Sequence, residues 1–283
     1  MSYQQYRPNS FNVLPLVVKN LLIINGLFFL ATFALQNQFD LTDKLGLHYP
    51  LSDKFQPYQI ITYMFMHGGL MHIIFNMFAL WMFGNTLENY WGPKRFLIYY
   101  IITGIGAAVC HYAVVHFQIQ PTLSIIDSYI ANPSLESFKA FLDSGNFQLT
   151  SADMVNNFNE NIPTYYNKAI ESQNYTEALR ISVDYMHTFK ADFLNGPVVV
   201  GASGSVFGIL LAFGMLFPNT MLYIYFAIPI KAKWFVVIYG AMELFSGIAN
   251  RPTDNVAHFA HLGGMLFGFF LIKYWQKKNN HFY

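Results

Sequence analysis

Apolar residues gather into six runs along this chain, near residues 17–36, 69–87, 95–116, 199–217, 234–249 and 256–274. A bilayer core takes about 20 mostly apolar residues per helix, so the pattern predicts six membrane-spanning helices. The fifth run is short for a span. Ahead of it, the apolar stretch PNTMLYIYFAIPI (218–230) is interrupted by Pro218 and Pro229 and reads as an interfacial loop.

Between the third and fourth runs the pattern changes. Residues 117–196 are too many for an ordinary connection, and nine acidic side chains, from Asp127 to Asp192, outnumber the four basic ones, Lys139, Lys168, Arg180 and Lys190. Within them SLESFKAFLDSG and YTEALRISVDYMHTFKADFL space their apolar residues by three and four, as amphipathic helices do. The chain therefore divides into 1–116 (three spans), 117–196 (a helical insertion outside the membrane) and 197–283 (three more spans and a short cytoplasmic tail). The insertion's polarity is also that of a poorly ordered loop. No internal repeat is present.

Composition strengthens the membrane reading. Of 283 residues 54% are hydrophobic and only 11% charged, against about 25% charged in a soluble domain. A net charge of +1 offers no basic stripe to neutralise phosphates, which argues against a nucleic-acid partner. The lone Cys110 cannot form an internal disulfide, and no His/Cys spacing suits a zinc finger. Short cytoplasmic loops collect Lys and Arg. With the N-terminus inside, Arg7, Lys19, Lys94, Arg95, Lys231, Lys233, Lys273, Lys277 and Lys278 fall on the inner side, and only Lys44, Lys54 and Arg251 on the short outer loops. Six spans return the C-terminus to the cytoplasm. The N-terminal stretch lacks a cleavable signal, and the expected location is a bacterial inner membrane.

Ionisable groups inside a membrane helix are costly unless they face a cavity or a partner. Three clusters hold them here: MHGGLMHIIFN with His67, His72 and Asn76; GASG with Ser203; and AHFAHLGG with His258 and His261. The second, fourth and sixth runs share one direction, so Asn76, Ser203 and His261 lie at similar depth below the outer surface. Gly204 with Gly208, and Gly264 with Gly268, form two GxxxG faces that let helix backbones approach closely. They would press the fourth and sixth helices together just below Ser203 and His261.

A serine hydroxyl needs a neighbouring base to become a nucleophile, most often histidine. His72 and Asn76, one helical turn apart, can project from one face and, with the Ser203 backbone N–H, are candidate oxyanion donors. No acid stands in an obvious place for a triad: Glu88 is at the inner end of the second helix, Glu243 in mid-helix five and Asp254 in the loop before the sixth. The expectation is a Ser–His dyad. A GxSG in an apolar helix also serves simple small-residue packing, and it departs from the G-x-S-x-G elbow. The four histidines without a nearby carboxylate or thiolate do not suit a catalytic metal, so neither metal nor other cofactor is expected.

Taken together, HGGLMHIIFN, GASG and AHLGGMLFG in this order resemble the rhomboid family of intramembrane serine proteases, across the second to sixth helices. The resemblance implies a six-helix bundle that cleaves transmembrane protein substrates from the lipid, in or near the outer leaflet, with Ser203 as nucleophile and His72 and Asn76 as oxyanion stabilisers. The family pattern has a glycine three residues after the catalytic histidine and another four beyond. From His261 these are Gly264 and Gly268, which favours His261 as base over His258. His258 then makes a structural hydrogen bond, and His67 anchors the first outer loop. Tyr58-Gln59 stands where many members carry Trp-Arg, and Phe207 where some carry a tyrosine that stacks on the histidine; a phenyl ring can still stack. Phe245, Ser246 and Gly247, with the loop to Asn255, are gate and cap candidates, and the insertion would screen substrates or bind a partner. A catalytically inactive adaptor for membrane proteins and a transporter are the rival classes.

Overall fold

A computed structural model describes residues 12–149, 151–224, 227–249 and 256–278. Arg7, Arg251, Asp254 and the cap loop up to Asn255 lie outside the described residues. The helices, in chain order, are α1 (Leu16–Leu35), α2 (Leu41–Leu45), α3 (Gln59–Thr62), α4 (Leu70–Ala79), α5 (Asn85–Trp91), α6 (Pro93–Ala131), α7 (Leu135–Leu142), α8 (Ala152–Asn161), α9 (Asn167–Glu171), α10 (Tyr175–Asn195), α11 (Ser203–Leu216), α12 (Ala232–Ala249) and α13 (His258–Lys278). A π-helical turn, Leu80–Gly84, joins α4 to α5 without a break. Two antiparallel pairs complete the fold: β1 (Leu47–His48) with β2 (Val198–Val199), and β3 (Met221–Ile224) with β4 (Ile228–Lys231).

The chain forms two compact units. One takes in residues up to Gly46, Ile60–His111 and those from Val200 onward; the other consists of Leu47–Gln59 and Tyr112–Val199. Four helical stretches among the described residues are long and apolar enough to cross a membrane, Leu16–Leu35, Leu70–Trp91, Pro93–Ala131 and Ala232–Ala249, while α11 is apolar but only 14 residues long. In α1 and α12 only 17% of the apolar window is buried. Leu30, Phe33, Phe245 and Ile248 stand outward, a distribution that water penalises and lipid accommodates.

The third apolar run does not stop near residue 116. Helix α6 continues through Pro121 to Ala131, so backbone pairing persists where hydropathy fades. The stretch 218–230 also differs from the expected loop. Its two halves pair as the β3–β4 hairpin, with Pro229 opposite Tyr223, a place proline can take at a sheet edge.

The second unit has a core of its own. Ile126 and Tyr129 from α6 meet Phe138, Phe141, Met154, Ile162, Tyr185, Met186 and Phe189, so the apolar positions of the two amphipathic segments face inward together. Ser134, Ser151 and Asn174 cap α7, α8 and α10 by accepting hydrogen bonds from the backbone N–H three residues on, as these side chains do at helix starts. The Tyr185 hydroxyl is buried there without a partner among the described residues, and burial pushes its phenol well above the usual range.

In the first unit, small residues set the helix spacing. A Cβ on Gly264 would run into the Gly204 carbonyl, and one on Gly204 into Ala107. Gly208 and Gly268 meet a different neighbour from the one their GxxxG spacing suggests: Thr103 and Tyr99 of α6 occupy the space above them. The Tyr99 hydroxyl donates to the Gly208 carbonyl at 2.8 Å. Helices α6, α11 and α13 thus pack through their glycines as a threesome. Glu88 has a structural task, accepting from the N–H groups of Val17 and Val18 at 2.9 and 2.8 Å, where a carboxylate meets the positive end of the α1 dipole.

Candidate active site

Ser203 is the first residue of α11, reached from β2 through Gly201 and Ala202. Gly201 is held at φ +125°, a conformation open to glycine, and its N–H donates to the Tyr63 carbonyl at 2.9 Å. A side chain there would also collide with the His72 ring, since its Cβ would lie 2.8 Å from His72 Nε2. One residue therefore turns the chain, lets α11 begin at the serine and leaves room for His72.

The Ser203 hydroxyl lies 2.8 Å from His261 Nε2. His261 comes one turn into α13, nearly buried, and the Phe207 ring lies flat on it with centroids 4.2 Å apart and planes 6° from parallel. Phe207 and Ser203 share one face of α11, four residues apart, so the helix that carries the serine also fixes the tilt of the imidazole. The Gly204–Gly264 contact holds the two backbones at the distance this hydrogen bond needs.

The His72 ring also reaches this turn, lying against Gly201, and Asn76 follows it one helical turn along α4. His72 Nδ1 accepts from the Gly68 N–H at 3.4 Å, which leaves Nε2 as the protonated nitrogen of a neutral ring and turns a donor towards Gly201. Asn76 is buried, and its Nδ2 has no hydrogen-bond partner among the described residues. An unpaired buried donor is costly, and one a helical turn from His72 is a ready receptor for negative charge. Such a group of donors can stabilise the oxyanion of an acyl-transfer reaction.

Two further features surround these groups. His67 is buried edge-on to His72, centroids 5.0 Å apart, so it packs against the ring of a candidate oxyanion donor. Gln59 helps to tie the loop between α2 and α3, accepting from the N–H groups of His48 and Gln56 and donating to the Lys54 carbonyl.

The second feature is an acid that sequence reasoning passed over. Glu243 of α12 brings its Oε2 to 2.9 Å from His261 Nδ1 and 2.6 Å from His258 Nδ1. The reading that no acid reaches the histidines, and that they have no carboxylate nearby, is therefore corrected: the ligand atoms of Glu243, His258 and His261 all lie within 4.8 Å of one another. An ionisable residue in an apolar helix was the available signal. Its register was missed because α12 and α13 meet only in the folded chain, where Gly247 packs on Phe259 and His258.

A family model for the Rhomboid domain matches residues 54–122 and 178–277, more than half of the chain. Among curated proteins, Rhomboid-like protein 15 of Arabidopsis thaliana is 28% identical over 100 residues, 35% of this chain and 25% of that protein. RHOMBOID-like protein 6, mitochondrial, of the same plant is 35% identical over 54 residues, 19% of this chain and 18% of that protein. Rhomboid protease GluP of Bacillus subtilis (strain 168) is 33% identical over 55 residues, 19% of this chain and 11% of that protein. The aligned part thus spans a quarter or less of each relative. With a domain match on this scale and apolar helices suited to a bilayer, the chain belongs to the rhomboid family.

Proposed function

We propose that the chain is an intramembrane serine endopeptidase that cleaves transmembrane proteins in or near the outer leaflet. The observation that carries this reading is the Ser203–His261 hydrogen bond of 2.8 Å, supported by an Asn76 amide that is buried without a hydrogen-bond partner among the described residues. Ser203 Oγ attacks the scissile carbonyl as its proton passes to His261 Nε2. His72 Nε2–H, Asn76 Nδ2–H and the Ser203 backbone N–H receive the oxyanion. The C–N bond breaks as the imidazolium returns the proton to the leaving amine, and water hydrolyses the acyl-enzyme by the same steps.

Six spans, α1, α4 with α5, α6 as far as residue 116, α11, α12 and α13, make up the membrane bundle, with both termini cytoplasmic as the Lys and Arg distribution favours. Residues 117–196 stand outside the membrane, where their acidic balance and separate core are at ease, and select substrates or partners. Substrate enters sideways from lipid and unwinds, since a helical peptide bond is shielded by its own hydrogen bonds. Phe245, exposed on α12, lies on the entry side with Ser246 and Gly247. Co-reconstitution of the wild-type chain or Ser203→Ala with a tagged single-pass segment in proteoliposomes tests the reading. Fragments from the wild type alone, cut inside the apolar segment, are expected; equal cleavage by Ser203→Ala would refute it.

A further inference from the structure

We infer that Glu243 completes a Ser203–His261–Glu243 triad, with His258 as the group that positions its carboxylate; the inference rests on the protease reading above. A carboxylate can only accept, so at 2.9 Å from Oε2 the His261 Nδ1 must carry its proton. That fixes the tautomer. Nε2 is left with its lone pair towards Ser203 Oγ at 2.8 Å, the form a general base requires. The same carboxylate then faces the imidazolium that forms when the serine proton arrives. Glu243 stays ionised throughout, and the proton moves only between Ser203 Oγ, His261 Nε2 and the leaving amine.

His258 Nδ1 donates to the same oxygen at 2.6 Å. It comes from one turn earlier on α13 and its ring stands edge-on to that of His261. Two donors from one helix thus hold a single oxygen of a side chain from another. An ionisable group placed at mid-helix in an apolar segment is retained where it is paired and used. Separations of 2.6 and 2.9 Å between nitrogen and oxygen are those of charge-assisted hydrogen bonds. Ligand atoms sharing a zinc ion at about 2.0–2.1 Å in tetrahedral geometry stand further apart than this. The other titratable rings that interact with His261 are His72 from α4 and His111 from α6; neither is an acid.

The test uses the full-length chain in lipid, with Glu243→Gln, Glu243→Asp, Glu243→Leu and His258→Gln, and reads the rate of acylation by a fluorophosphonate against pH. Glu243→Gln should acylate slower by on the order of a hundredfold or more at every pH tested. With a cleavable substrate, kcat should fall and KM should hold. Glu243→Asp should recover part of the rate, and His258→Gln should lie between. The ¹⁵N spectrum of histidine-labelled protein supplies a readout independent of reactivity: His261 should be Nδ1-protonated in the wild type and lose that preference in Glu243→Leu. A reactive wild type with an indifferent Glu243→Gln overturns the triad alone. So does loss of wild-type rate on chelation with recovery on adding zinc, which would make the three residues a metal site. A wild type that never reacts in lipid removes the protease reading and the triad with it.

Discussion

Replacing Gly264 with alanine is the sharpest way to ask whether helix spacing sets the chemistry. The new methyl would point into the backbone of Gly204, whose carbonyl carbon would lie 2.7 Å away, where ordinary contact begins at 3.4 Å. Backbone cannot swing aside as a side chain can, so α11 and α13 must part by roughly 0.7 Å or more at this point. Gly264 is three residues from His261 and Gly204 directly follows Ser203. A parting of that size carries the 2.8 Å hydrogen bond to about 3.5 Å, beyond useful range. Misplacement on the scale of 1 Å costs about a hundredfold in rate, and overpacking costs about 1–3 kcal/mol in stability. The assay is fluorophosphonate acylation alongside thermal unfolding in detergent, with Gly26→Ala as control because a Cβ there meets nothing within 4 Å. If Gly264→Ala acylated as fast as the control, the spacing argument would be wrong.

Other outcomes follow from the same structure. Asn76→Ala should lower kcat by about 10²–10³ while leaving thermal stability unchanged or raised, because it removes an unpaired buried donor; a stability loss with kcat intact would contradict the oxyanion role. Gly201→Ala should lose acylation and stability together, through its φ of +125° and the 2.8 Å approach to His72, and a variant of wild-type rate would contradict the role given to that turn. In the second unit, Tyr185→Phe should be neutral or stabilising because its hydroxyl is buried without a partner, whereas Phe138→Ala, fully buried in that core, should cost about 3–5 kcal/mol. Chemical unfolding followed by fluorescence distinguishes the two.

Much of the site was legible in the sequence because its parts are local. Asn76, Ser203 and His261 each sit within the first two turns of one helix, and matching their depth needed only helix direction, so Ser203 and His261 could be paired from sequence alone. Phe207 was legible only through the family resemblance, which places a ring that stacks on the histidine four residues beyond the serine. Glu243 was not, since its meaning depends on which face of α12 turns to α13, and its helix has apolar neighbours on every side. The extension of α6 to Ala131 was hidden by HFQIQPTLSIID, where polar residues and Pro121 end the hydropathy signal but not the helix. The β3–β4 pairing was hidden because a short apolar run around prolines does not separate strand from loop.

The central claim is that Ser203 is an activated nucleophile. The most direct measurement treats purified wild type, Ser203→Ala, His261→Ala and His258→Ala with a fluorophosphonate and locates the adduct by mass spectrometry. The account predicts an adduct on Ser203 in the wild type, absent in Ser203→Ala and His261→Ala and retained, if slower, in His258→Ala. A folded wild type that carries no adduct in lipid bilayers would contradict it and move the weight to an inactive adaptor that binds membrane proteins.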